Sequence, residues 1–143
     1  MGEPRDIAVL EAAGVKTPAN LAVYVDTLGI DLAMDLFLVA GGSQIYLSPK
    51  SSDRALVART VGAENASRLA EAVGQNYIKV PIARQWVARV HWSRGTSVNE
   101  IARTVRADIA TVRRWLGPAP RERLKQIQMS LFVEDTDAPA STD

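Results

Sequence analysis

The sequence predicts a mainly α fold in which a duplicated helix-helix-short-strand region precedes a C-terminal helix-turn-helix. Three observations carry this. Glycines punctuate short apolar-periodic runs through the first half, and two β-rich runs closed by proline interrupt those helices. Residues 96–116, TSVNEIARTVRADIATVRRWL, then hold two short amphipathic stretches around a tight turn. The organisation expected is a scaffold and dimerisation region at 1–81, a helix-turn-helix region at 82–127 and a flexible acidic tail at 128–143.

Taken in order, residues 6–13 form a short helix stopped by Gly14. Thr17 caps a second helix that has Pro18 at its first position and ends at Gly29. Asp31 caps a third, LAMDLFLVA, ended by Gly41-Gly42. Gln44-Ile45-Tyr46-Leu47-Ser48, closed by Pro49, reads as a short strand. The pattern then recurs: a helix over 53–61 and Gly62, a helix over 64–73 and Gly74, and a strand over 77–80 closed by Pro81.

At an offset of 33 residues (Gly62 against Gly29), the first stretch lies on the second with Ala22 on Ala55, Thr27 on Thr60, Ala33 on Ala66, Leu36 on Leu69 and Gly41 on Gly74. The strands follow with a one-residue slip. Two copies are too few for a solenoid. A lone short strand leaves its ladder hydrogen bonds unmade, so either the two strands pair within one chain or each pairs across a dimer.

Residues 82–95, IARQWVARVHWSRG, predict an amphipathic helix with Trp86, Val87, Val90 and Trp92 on its apolar side and Arg84, Arg89 and Arg94 on its polar side. Tryptophans at helical spacing are read as core. Ser97 caps the next helix, over 98–104, and Asp108 caps the last, over 109–116, which Gly117-Pro118 stops. Ile101, Ala102 and Val105 face Val112, Trp115 and Leu116 in a small shared core. Ala102 sits where two crossing helices leave room for little more than a methyl group. The turn falls on Arg106, which has to adopt a left-handed or distorted backbone where glycine is usual.

Charge gives this region a function class. From Arg84 to Lys125 there are ten Arg or Lys against Glu100, Asp108 and Glu122, a surplus of seven in a chain whose net charge is +1. That concentration is the electrostatic footprint of phosphate contact. The partner expected is double-stranded DNA, with the last helix in the major groove. The candidate contact residues are Arg94, Ser97, Arg103, Arg106, Ala110, Thr111, Arg113 and Arg114.

Other classes are disfavoured by composition. The chain has no cysteine and a single histidine, His91, so no zinc site and no disulfide framework is expected. No phosphate loop, nucleophile elbow or histidine-cysteine pair is present, and Asp31 and Asp35, four apart, read as a solvated helix face. No catalytic residue, cofactor or enzyme activity is therefore expected. With no long apolar run and no signal pattern after the initial MGEPRD, the expectation is a cytoplasmic protein with no membrane partner.

The run LGIDLAMDLFLVAGGSQIYLSPK, with the later YIKVP leading into a helix and the helix-turn-helix, resembles the Mor transcription activator family of Mu-like phages. The resemblance spans about residues 28–132, and Gly41-Gly42-Ser43-Gln44-Ile45-Tyr46 is its most specific segment. It implies a homodimer built through the helix and strand region, promoter DNA bound by residues 109–116, and RNA polymerase as a partner in activation. This chain departs from the family in carrying two strand units and in placing Arg106 where the family has a turn glycine.

Near the end, Gln128-Met129-Ser130-Leu131-Phe132 is similar to the pentapeptide with which bacterial proteins dock into the replication sliding clamp. A short peptide with one polar anchor and two apolar plugs suits a preformed pocket, and the acidic VEDTDAPASTD after it predicts disorder. The alternative is that Leu131 and Phe132 fold back over the helix-turn-helix core, with a helix over 121–128 leading into them.

Overall fold

A computed structural model describes residues 4–74 and 76–117. These residues are mainly helical with one small sheet, in the order α1 (Pro4–Ala12), α2 (Ala19–Leu28), α3 (Ile30–Ala40), β1 (Gln44–Tyr46), α4 (Ser52–Val61), α5 (Ala63–Val73), β2 (Tyr77–Lys79), α6 (Arg84–Ser93), α7 (Val98–Val105) and α8 (Ile109–Leu116). They belong to two compact units that divide between Val87 and Ala88, inside α6. No helix among the described residues is long and apolar enough to cross a membrane.

In the first unit, α2 packs on α3 and α5, and α4 packs on α3 and α5. The shared core takes Val25 and Leu28 from α2, Ala33 and Leu36 from α3, Val57 from α4, and Ala66 and Leu69 from α5, all at most 1% exposed. Full burial of side chains such as Leu36 and Leu69 contributes roughly 1.5–3 kcal/mol each. Phe37 stands edge-on to both Tyr24 and Trp86, with ring centroids 5.3 and 5.7 Å away. This is the T-shaped arrangement favoured by the ring quadrupoles.

The two helix junctions share one backbone solution. Gly29 (φ 86°, ψ 166°) closes α2 and opens α3, and Gly62 (φ 93°, ψ 150°) closes α4 and opens α5. Only glycine adopts this region readily. Gly29 donates to the Val25 carbonyl and Gly62 to the Ala58 carbonyl, each at 2.8 Å, and Ala33 and Ala66 donate back to the two glycine carbonyls at 3.0 and 2.9 Å.

That economy corrects two expected caps. Because Gly29 serves both helices, α3 begins at Ile30, and Asp31 lies inside its first turn, not at its N-cap. Pro18, not Thr17, precedes α2, and its carbonyl accepts from Leu21 at 2.9 Å. The Thr17 hydroxyl instead accepts from Trp86 Nε1 at 3.3 Å. At α4 the cap is Ser51, which accepts from the Asp53 N–H, so that helix starts one residue earlier than expected.

The strands pair with each other, antiparallel, in the register Gln44 to Lys79, Ile45 to Ile78 and Tyr46 to Tyr77. The ladder continues past them on both sides, Val80 donating to the Ser43 carbonyl at 2.9 Å and Leu47 to the Asn76 carbonyl at 2.6 Å. Ile45 and Ile78 point into the core, while Tyr46 and Tyr77 lie on the outer face with ring centroids 6.1 Å apart. The expected one-residue slip is absent: β1 and β2 are themselves 33 residues apart (Tyr77 against Gln44). Gly41 and Gly74 do not match in conformation, since Gly41 is extended at φ −55° and Gly74 is left-handed at φ 69°.

Candidate nucleic-acid interface

The second unit is built around two eight-residue helices. Ser97 Oγ accepts from the Glu100 N–H at 3.2 Å, which starts α7, and Asp108 Oδ1 accepts from the Thr111 N–H at 2.7 Å, which starts α8. Each cap satisfies a donor that the first helical turn leaves without an intrahelical partner. Between them Arg106 is left-handed (φ 56°, ψ 51°), the one positive-φ residue other than glycine among those described. This conformation lets the N–H groups of both Arg106 and Ala107 reach the Ala102 carbonyl, the latter at 3.1 Å. The chain therefore turns from α7 into α8 within Arg106, Ala107 and Asp108.

α7 packs on α8, with Ile101, Ala102 and Val105 buried from the first and Val112 from the second. Trp115 and Leu116, expected in this core, are only half-buried, since they lie in the last turn of α8, beside Gly117. From α6, Ala88 and Val90 are buried and Arg89 Nε donates to the Trp115 carbonyl at 3.1 Å. That bond satisfies a carbonyl at the end of α8, where the helix dipole also favours a cation.

The outer side of α8 presents one arc. At 3.6 residues per turn, Ile109, Arg113, Ala110 and Arg114 cover roughly 140° of the helix surface, and all four are exposed. Thr111 is half-buried at the border of that arc. Arg103 on α7, Arg106 in the turn and Arg94 after α6 are exposed as well. Ser97 is also exposed, but its hydroxyl is committed to the α7 cap. Two residues stand outside the individually expected contact set. Ile109 is 38% exposed at the start of α8, and Arg89 braces that helix; neither carries a local sequence signal for its role.

The Asp108 carboxyl is held below its ordinary range, first by the Thr111 hydroxyl and then by the Thr111 N–H, with the Arg114 charge adding to both. The cap is thus an anion at the N-terminus of α8, where the helix dipole favours it. Gln128 to Phe132, the clamp-like peptide, and the alternative helix before it lie outside the described residues.

Elsewhere, a groove of about 650 Å³ in the first unit is lined by Asn20, Val23, Tyr24, Tyr77, Lys79 and Val80 among others. Burial raises the Tyr24 phenol above its usual range, and its hydroxyl donates to the Lys79 carbonyl at 3.4 Å. Among the described residues no cluster of three or more His, Cys, Asp or Glu is placed to hold a metal. No protein-family model matches this chain, and no curated protein or solved structure does either.

Proposed function

We propose that the protein is a sequence-specific double-stranded DNA-binding regulator of transcription, activator-like and of phage or prophage type, in which α7 and α8 act as a helix-turn-helix. The observation that carries this reading is the exposed arc of α8, with Arg113 and Arg114 on it, set after a left-handed arginine turn. In the major groove, one of the two arginines reaches guanine O6 and N7 and the other a phosphate. Ile109 and Ala110 offer apolar contact to thymine methyl groups. Arg94, Arg103 and Arg106 supply the sequence-independent phosphate contacts that set register.

The role in transcription rests on the likeness of Gly41 to Tyr46 to the Mor activators, and RNA polymerase is the partner it implies. The first unit is on this reading a duplicated helix-helix-strand element. Selection of duplexes from a random pool yields the site, and isotherms for Arg113→Ala and Arg114→Ala on that site test the reading. The base-reading arginine is expected to lose roughly 1–3 kcal/mol and to relax one position of the motif. Isotherms unchanged for both variants end it.

A further inference from the structure

We infer that the protein reads DNA as a monomer at a single site without dyad symmetry, because the first unit already holds both halves of a two-fold scaffold. The inference rests on the DNA-binding reading for its ligand and on the first unit for its symmetry. The offset of 33 that carries Gly29 onto Gly62 also carries Ile45 onto Ile78, and those two residues face each other at the centre of the ladder. An antiparallel pair whose central residues are equivalent has a local two-fold axis through them.

One pair of flanking backbone bonds obeys the same operation. Exchanging Ser43 for Asn76 and Leu47 for Val80 converts the bond from Val80 to the Ser43 carbonyl into the bond from Leu47 to the Asn76 carbonyl, and both are present. Exchanging α2 for α4 and α3 for α5 converts the packing of α2 on α5 into that of α4 on α3, and both occur. The buried pairs Ala33 and Ala66, and Leu36 and Leu69, are equivalent and all at 0% exposure. Each half thus finds in the other the apolar cover and strand partner that a half-sized chain would need from a second copy.

The consequence for recognition is one of counting. A two-fold dimer carries two recognition helices and mirrors its symmetry in a pseudo-palindromic site with half-sites one helical turn apart. Here one closed two-fold scaffold is joined to one α7–α8 pair, with a single basic arc on α8. The α7–α8 pair has no equivalent in the repeat, so nothing among the described residues repeats the half-site.

The test combines mass with site symmetry. Sedimentation velocity of the full chain from low to high micromolar concentration is expected to give the monomer mass of 15.5 kDa throughout. Selection from random duplexes should return one motif with no dyad, bound one chain per duplex. Placing that motif as an inverted repeat should change affinity per chain by no more than a statistical factor of about two, since independent sites gain no effective concentration. A dimer mass, or a selected pseudo-palindrome filled cooperatively by two chains, overturns the inference. If no duplex is enriched, the DNA reading fails and the inference falls with it, and a monomer mass in that same experiment shows that the ligand, not the symmetry, was at fault.

Discussion

Two junctions in this molecule solve the same problem with different residues. Gly62 joins α4 to α5 at φ 93°, and Arg106 joins α7 to α8 at φ 56°. In the scaffold, glycine stands where the backbone demands it, and a Cβ there would meet nothing within 4 Å, so conformation alone explains the choice. At the second junction glycine would serve the backbone better, because the left-handed region costs an L-residue roughly 1–2 kcal/mol. Strain of that kind persists where a side chain is kept for another reason. On the DNA-binding reading, the contrast separates a region whose sequence serves stability from one whose sequence serves its surface.

The largest effects should test the scaffold side of this contrast. Leu36→Ala and Leu69→Ala each remove a fully buried side chain, at a cost of about 2–5 kcal/mol; both residues are 0% exposed, and on the duplicated reading of the first unit they are equivalent. Urea denaturation should therefore give similar losses for the two variants. A loss at one position and near-neutrality at the other breaks the equivalence of the halves. Gly62→Ala comes next, with an expected loss of roughly 1–3 kcal/mol from backbone strain alone. An unchanged midpoint would show that the junction relaxes, and would remove glycine's role there.

What the sequence made legible follows from how local each interaction is. Ser97 and Asp108 bond to N–H groups three residues ahead, so caps and helix bounds in α7 and α8 could be read from neighbouring residues, as could the arginines on the α8 face. The glycine spacing gives the offset of 33 by the same local rule, and β1 and β2 stand at that offset. Thr17 and Asp31 misled because the same local rule was overridden. Trp86, 69 residues away, engages the Thr17 hydroxyl, and Gly29 leaves no linker in which Asp31 could act as a cap. The strand partner, the Arg89 bond to the Trp115 carbonyl and the exposure of Ile109 all depend on tertiary packing, which no single segment encodes.

Arg106→Gly tests the other side of the contrast with two readouts that should move in opposite directions. Relief of the left-handed strain is expected to raise stability by up to about 1 kcal/mol, offset in part by the greater freedom of glycine in the unfolded chain. Loss of one phosphate contact should weaken DNA binding across all sequences and reduce the salt slope by about one. Arg106→Ala is the control, since it keeps the strained backbone but drops the guanidinium. It should reproduce the binding loss without the gain in melting temperature. If Arg106→Gly binds DNA with the wild-type salt slope, the arginine is not there for phosphate.

The smallest effect belongs to the charge on the α8 cap. The Asp108 carboxyl is lowered in the folded state by the Thr111 hydroxyl and N–H. A depressed folded pKa stabilises the protein fully above the unfolded carboxylate range, near 3.9. That contribution disappears as pH falls through the lower folded value. Asp108→Asn keeps an oxygen able to accept from the Thr111 N–H but has no charge to lose. Wild type should therefore melt slightly above the variant at neutral pH, and the gap should close as pH is stepped down through the carboxylate range. All other carboxylates are common to both proteins, so they cancel in the difference. A gap that persists unchanged into acid would mean that Asp108 acts through its shape as a cap and that its charge at the α8 N-terminus contributes nothing.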